Sequence, residues 1–285
     1  MDVTRFSRLR ILAAAALFST GGAAIKSTAL GGWQVACLRS GVAAVTVLLL
    51  VPAARRGWSW RTGLVAAAYA ATLILFVTAN KLTTSANSIF LQSAAPLYVL
   101  ILGPWLLKEK LKPRDIPFIL AVMFGLSFFF IGREPARLTA PDPVTGNILA
   151  CLSGVAWALT VMGLRALGRG QREGGVSAAT AVAAGNILAF LFCLPWALPI
   201  VGAGLKDAAV IAYLGIVQIG LAYILITGAI PHVPALEATL LLLLEPALNP
   251  IWAWLVLSER PGPWALAGGV IILLTTAIKA RADTR

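Results

Sequence analysis

The sequence predicts an all-α integral membrane protein, with ten transmembrane helices arranged as two inverted five-helix repeats around a central cavity. Three observations predict it. The first is composition: of 285 residues, 59% are hydrophobic and 12% charged, with mean hydropathy +0.88. A soluble domain carries about 25% charged residues, so this surface faces lipid. The second is a series of ten apolar stretches, each near the ~20 residues that cross a bilayer as a helix. The third is a repeat at a constant shift of 150 residues.

In order, the spans are predicted at about 9–27, 31–54, 60–80, 84–107, 114–132, 146–167, 177–201, 208–230, 235–257 and 263–280. The first follows the basic start RFSRLR and ends in the small residues Gly22-Ala23-Ala24. Those features also suit a secretory signal, but nine further spans follow and the repeat needs this one. The second span carries Arg39, and the third runs through AAAYAATLILF. The fourth holds Gln92, Pro96 and Tyr98, and the fifth is apolar from Ile116 onward apart from Ser127. REPARLTAPDPVTG, rich in Pro and charge, then divides the chain into a first unit (1–133), a linker (134–145) and a second unit (146–285). The sixth span carries Trp157, the seventh Asn186, and the eighth Gln218. In the ninth, five leucines lead into Glu245-Pro246, and the tenth contains Gly268-Gly269. Small residues such as these let membrane helices approach closely.

Charge orients the spans. One set of alternate loops and ends collects Arg5, Arg8, Arg10, Arg55, Arg56, Arg61, Lys108, Lys110, Lys112, Arg114, Arg165, Arg169, Arg172, Lys279, Arg281 and Arg285. The other has Lys26, Lys81, Arg133, Arg137, Lys206 and Arg260. Positive charge stays inside, so both termini are predicted on the cytoplasmic face of a plasma (bacterial inner) membrane. The net charge of +12 comes from these flanking clusters and forms no basic groove, which excludes nucleic acid as a partner. Cys37, Cys151 and Cys193 sit singly in apolar runs and read as small buried residues.

The repeat aligns PLYVLILGPWLLKEKLKP (96–113) with PALNPIWAWLVLSERPGP (246–263) without a gap. Pro96 meets Pro246, Leu107 meets Leu257, Glu109 meets Glu259, Lys110 meets Arg260 and Pro113 meets Pro263. Five spans per unit is an odd number, so the second unit lies upside down relative to the first. Inverted repeats with a site between them are an architecture of secondary transporters.

These features carry a resemblance. Arg39, the small-residue end of the first span, Pro96…Leu107-Lys108-Glu109-Lys110-Leu111 and Glu245-Pro246…Leu257-Ser258-Glu259-Arg260 resemble the drug/metabolite transporter superfamily, EamA type, over nearly the whole chain. Within it, the chain looks closest to the aromatic amino-acid exporters called YddG. The resemblance implies a ten-helix exporter of small metabolites, with four helices of each unit around the cavity and the fifth outside. The family often shows Gly-Glu at the end of each copy, whereas this chain has Lys108-Glu109 and Ser258-Glu259.

Glu245 is the sharpest residue. A charge at the bilayer centre costs about 2.5–3.5 kcal/mol, so it faces protein or a wet cavity. Pro246 and Pro250 break the helix there, as Pro96 does in the other copy, and Asn249 lies one turn from Glu245 on the same face. Glu245 reads as a site for a substrate ammonium or a proton, or as a pin for helix packing. Arg39 reads as a partner for a substrate carboxylate or for Glu245, or as a capping residue. Trp157, alone among the tryptophans, lies mid-span beside small residues, where an indole can stack on a flat substrate. Tyr98, Gln92, Gln218 and Asn186 are further mid-span polar groups that need partners. Glu109 and Glu259 read as helix-ending residues or gates.

The leading function class is a carrier exporting small metabolites, amino acids including aromatic ones, by alternating access. A carrier for drugs or nucleotide sugars is the alternative, although anionic substrates favour several buried cations and only Arg39 is present. A channel is a further class. HExxH, GxSxG, Asp-rich and paired-cysteine motifs are absent, and there is one histidine, so an enzyme, a metal and a cofactor are not expected. The partners implied are a small-molecule substrate and the lipid bilayer. Glu237 and Glu245 offer a proton route, which a facilitator does not need.

Overall fold

The computed structural model describes residues 3–108, 111–132, 135–169, 178–229, 232–233 and 235–282; Glu109 lies outside them. Among the described residues, ten helices are long and apolar enough to cross a membrane. They are α1 (Val3–Lys26), α2 (Gly32–Leu50), α3 (Trp60–Leu82), α4 (Ser85–Leu106), α5 (Pro113–Ile131), α6 (Pro143–Leu164), α7 (Ala178–Ala197), α8 (Leu205–Ile226), α9 (Leu240–Leu257) and α10 (Pro263–Ala282). The α6 helix continues to Arg169. The α1 helix starts at Val3 rather than near residue 9, because RFSRLR joins it. Outside the helices, an isolated antiparallel bridge joins Arg137 and Ala140 in the segment between α5 and α6.

Local chemistry sets several boundaries. Ser59 Oγ accepts from Thr62 N at 3.2 Å at the head of α3, and Thr84 Oγ1 accepts from Asn87 N at 3.2 Å at the head of α4. Both satisfy helix N–H groups that lack an intrahelical acceptor. Asp142 Oδ1 does the same for Thr145 N at 3.2 Å before α6. The bonds from Thr145 hold this carboxyl below the usual carboxylate range.

Four spans are irregular, and each for a local reason. The α1 helix breaks at Thr20, whose Oγ1 turns back to Leu17 O at 2.7 Å. The α4 helix breaks between Gln92 and Ala95, and Pro96 sits in the first turn of the new segment. The α9 helix breaks at Leu243, one turn before Pro246 rather than at it. Both prolines thus occupy first-turn positions, where no intrahelical bond is lost. Pro250 lies inside the resumed helix. In α8, Tyr213–Leu221 is a π-helix.

The helices pair in a regular way. The α3 helix packs on α6 and α7, α2 on α7 and α8, α1 on α8 and α9, and α4 on α6 and α9. The α5 and α10 helices pack mainly on each other. A Cβ on Gly268 of α10 would lie 2.6 Å from Gly125 O of α5, so any side chain there would force the two backbones apart. One apolar core joins α2, α3, α7 and α8, and a second joins α3 to α6 with α10. Leu49, Trp105, Leu120, Phe124, Leu274 and Ile278 remain exposed on the outside, as a lipid-facing surface requires.

The two aligned segments share a backbone feature that the alignment did not show. Among the described residues, Lys108 (φ 57°) and Ser258 (φ 54°), which the 150-residue shift superposes, are the non-glycine residues with left-handed backbone. Ser258 N donates to Trp254 O at 2.9 Å and Glu259 N to Ala253 O at 3.3 Å, closing the end of α9. These are the positions where the family that the sequence resembles often has glycine. Left-handed geometry costs a non-glycine residue about 1–2 kcal/mol, and glycine loses about 0.5–1 kcal/mol in entropy. Ser258→Gly is therefore expected to raise stability by about 0.5–1 kcal/mol, read as a higher unfolding midpoint in detergent.

Candidate functional site

The irregular helices meet at one place. A cavity of about 130 Å³ is lined by Phe18 (α1), Arg39 (α2), Tyr69, Thr72, Leu73 and Phe76 (α3), Gln92 (α4), Trp157 (α6), Gln218, Ile219 and Tyr223 (α8) and Glu245 (α9). Phe18 lies just before the α1 break, Gln92 at the α4 break, Glu245 just past the α9 break, and Gln218 in the π segment. Helix irregularity at membrane depth is tolerated where it borders a cavity, and π segments recur at functional sites. Neither α5 nor α10 contributes to the lining.

The walls combine aromatic rings with unsatisfied polar atoms. Tyr223 meets Phe18 edge-on at 5.2 Å and Tyr69 at 5.8 Å, and Tyr69 meets Trp157 at 6.4 Å. Gln92 Nε2 donates to Ser153 Oγ at 2.6 Å, and Gln218 Nε2 donates to Phe18 O at 3.3 Å, bridging α8 to α1. Arg39 is 2% exposed, yet its Nε and Nη2 have no hydrogen-bond partner, and neither do Tyr69 OH and Gln218 Oε1. Tyr69 and Tyr223 surround the guanidinium. Buried polar groups without partners are rare and call for an explanation.

Of the residues singled out in the sequence, Arg39, Gln92, Trp157, Gln218 and Glu245 come together on this cavity. Tyr98 and Asn186 do not. Tyr98 lies past the α4 break, and its ring is 3.1 Å from where a Cβ on Gly154 would sit, so it packs on α6. Asn186 Nδ2 donates to Val182 O of its own helix at 2.9 Å, and the residue stands behind Tyr69. Spacing along a broken helix does not fix the face, which is why Gln92 and Tyr98 diverge. Of the hinge prolines, Pro96 and Pro246 border the breaks and Pro250 lies a turn beyond. Tyr69, Tyr223 and Phe18 were missed. A phenol within the small-residue run AAAYAATL carries the same signal that singled out Trp157.

The end of the bundle with the α1–α2 and α9–α10 connections is sealed by polar groups. Lys26 Nζ pairs with Glu259 Oε2 at 3.0 Å, both side chains 3% exposed. Lys26 also donates to Thr83 O at 2.7 Å and to Thr139 O. Ser85 N donates to Glu259 Oε1 at 2.6 Å, and Ser85 Oγ to Asn249 Oδ1 at 2.7 Å. Asn249 Nδ2 continues to Ser19 O at 3.0 Å, and Trp252 Nε1 to Ser19 Oγ at 2.9 Å. A Cβ on Gly22 would lie 1.8 Å from Ser85 Oγ, so glycine is required for this seal. At the opposite end, Arg8 and Glu237 pair at 2.5 Å with side chains 47% and 32% exposed, over an apolar cluster of Ile11, Ala229, Val233 and Ala238.

A ten-helix bundle with a polar cavity at its irregular core defines a membrane transporter. The chain matches the model of the EamA-like transporter family over residues 6–131 and 144–279, and it belongs to that family. A solved structure titled only as the crystal structure of a protein is similar in fold, with TM-score 0.62 and 17% identity, covering 98% of this chain and 99% of its own. No curated protein matches the chain.

Removing Lys26 leaves Glu259 buried and uncompensated, at a cost of about 3–5 kcal/mol. Lys26→Met is expected to lower the unfolding midpoint sharply, and adding Glu259→Gln to recover most of the loss. Equal loss in the single and double variants would show that the pair does not act as a unit.

Proposed function

We propose that this transporter is a secondary carrier that exports amino acids and similar small metabolites by alternating access. The observation that carries the reading is the polar cavity of about 130 Å³ at the meeting of four irregular helices. Its size bears on substrate. A cavity of ~150 Å³ holds a benzene, so a small amino acid fits the present state. An aromatic one, as the YddG-like resemblance implies, enters once the cavity has widened. The charge of the lining speaks against nucleotide sugars and other multiply anionic cargo, since Arg39, the one cation among the described lining residues, shares the cavity with the carboxylate of Glu245.

The moving parts of this reading are two inverted units, residues 1–133 and 146–285, joined by 134–145. Exchanging each helix for the one five places on maps α3–α6 onto α8–α1, α4–α6 onto α9–α1 and α3–α7 onto α8–α2, while α2–α7, α4–α9 and α5–α10 map onto themselves. That exchange, the matched left-handed residues Lys108 and Ser258 and the matched prolines Pro96 and Pro246 all support it. The loop charge supports cytoplasmic termini in a bacterial inner membrane.

Two measurements test the reading. Cysteines placed at Arg114 and Pro263 are expected to react with an impermeant maleimide from opposite sides of the membrane; reaction from one side overturns the inverted pairing. In proteoliposomes, Trp157→Ala is expected to raise the KM for a transported amino acid by up to about tenfold, the scale of one lost aromatic contact, with the folded fraction unchanged.

A further inference from the structure

Two charges face the cavity without partners. Arg39 on α2 has its Nε and Nη2 unpaired. Glu245 on α9 makes no hydrogen bond or ion pair among the described residues. The two do not pair with each other, although they border the same cavity. An unpaired charge buried in a membrane is expensive. Two opposite ones left apart around an empty volume form a net-neutral, strongly dipolar pocket.

We propose that Arg39 and Glu245 form a two-point site for a zwitterion, Arg39 taking the α-carboxylate and Glu245 the α-ammonium of an amino acid. The inference rests on the carrier reading above and narrows it to a ligand class. A guanidinium binds a carboxylate through two parallel N–H donors, and Arg39 has two unpaired nitrogens. Tyr69 brings a hydroxyl near the same charge, a further donor for a carboxylate oxygen. A carboxylate is acceptor-only and suits an ammonium with its three donors. A zwitterion satisfies both charges at once and adds no net charge to the bundle. An amine or a carboxylic acid satisfies one charge and leaves the other bare. The rings of Trp157 and Tyr223 leave an apolar wall for the side chain, and the cavity volume of about 130 Å³ restricts that side chain to a small one in this state.

The test uses the full-length protein in proteoliposomes with radiolabelled L-alanine as the probe and unlabelled L-alanine, ethylamine and propionate as competitors. L-alanine is expected to compete at least about tenfold better than either singly charged analogue, the scale of one charge-assisted contact. Arg39→Gln is expected to weaken competition by L-alanine and propionate but spare ethylamine. Glu245→Gln is expected to weaken L-alanine and ethylamine but spare propionate. General damage to the fold would not produce these opposite selectivities. Arg39→Lys, which keeps the charge but loses the fork, is expected to fall between. Should the glutamine variants misfold, thermal stabilisation of the native protein by L-alanine and not by either analogue supports the same conclusion. Equal competition by all three, equal stabilisation by all three, or losses in the variants that ignore ligand charge, overturns the two-point site. So does flux of ethylamine, propionate or a nucleotide sugar without flux of L-alanine, which leaves the carrier reading standing. If no solute moves in either direction, the carrier reading itself falls and this inference goes with it.

Discussion

A hydrocarbon interior offers no hydrogen bonds, so every backbone group and polar side chain within it must find a partner in protein or water. Most of this chain obeys through unbroken helices. The exceptions at Thr20, Ser93-Ala94, Leu243 and the π segment Tyr213–Leu221 are gathered around one cavity rather than scattered. The unpartnered atoms of Arg39, Tyr69 and Gln218 stand at the same place. Irregular backbone and part of the unsatisfied polarity share a location, because a space that admits water or a polar solute relieves both; Ser40, Asn80, Asn87 and Asn186 carry further unpartnered atoms outside the lining.

The ends of the bundle are closed by different physics. Toward the α9–α10 connection, the seal is a buried ion pair with a chain of hydrogen bonds through Ser85, Asn249 and Ser19. Toward the chain's start, it is a half-exposed ion pair over apolar packing. Breaking the first leaves a charge buried without its counter-ion, whereas an exposed pair is worth about 0–1 kcal/mol. The α1 helix takes part in both seals, with Arg8, Ile11 and Ser19 on one side of its break at Thr20, and Lys26 on the other.

Composition and span count made the ten-helix fold legible before any coordinates. The site was legible where a residue violated its surroundings: Glu245 among leucines, Arg39 in an apolar helix, and Trp157 mid-span, along with Gln92 and Gln218. Periodicity failed where helices break, because the face of Tyr98 depends on how α4 resumes after Ala94. It failed for Asn186 because Tyr69 stands between it and the cavity, and which of two buried polar groups is nearer is a fact of tertiary packing. Pro246 marked the α9 break, but the break itself falls at Leu243, since a proline is best accommodated in the first turn after an interruption. Glu259 read as a helix-ending residue or gate. Its burial against Lys26 depends on two residues more than 230 positions apart in the chain, a separation over which local pattern carries no information.

The repeat itself explains why the site is one-sided. At the 150-residue shift, Pro96 matches Pro246 and Lys108 matches Ser258, so the elements that shape the backbone are doubled. The elements that carry charge and hydrogen bonds are not. Opposite Glu245 stands Ala95, opposite Asn249 stands Val99, and opposite Trp252 stands Leu102. A second carboxylate at position 95 would add another charge to the membrane interior, at about 2.5–3.5 kcal/mol, with Arg39 the one cation among the described lining residues to balance two anions. Apolar packing positions can therefore repeat between the two aligned segments without such a penalty, while the charged positions diverge and keep the cavity near neutral. The same divergence places Asn249 and Trp252 in one seal and leaves apolar residues at the matching positions of α4, so the chemical difference between the two ends follows from the same loss of symmetry that left a single carboxylate at the centre.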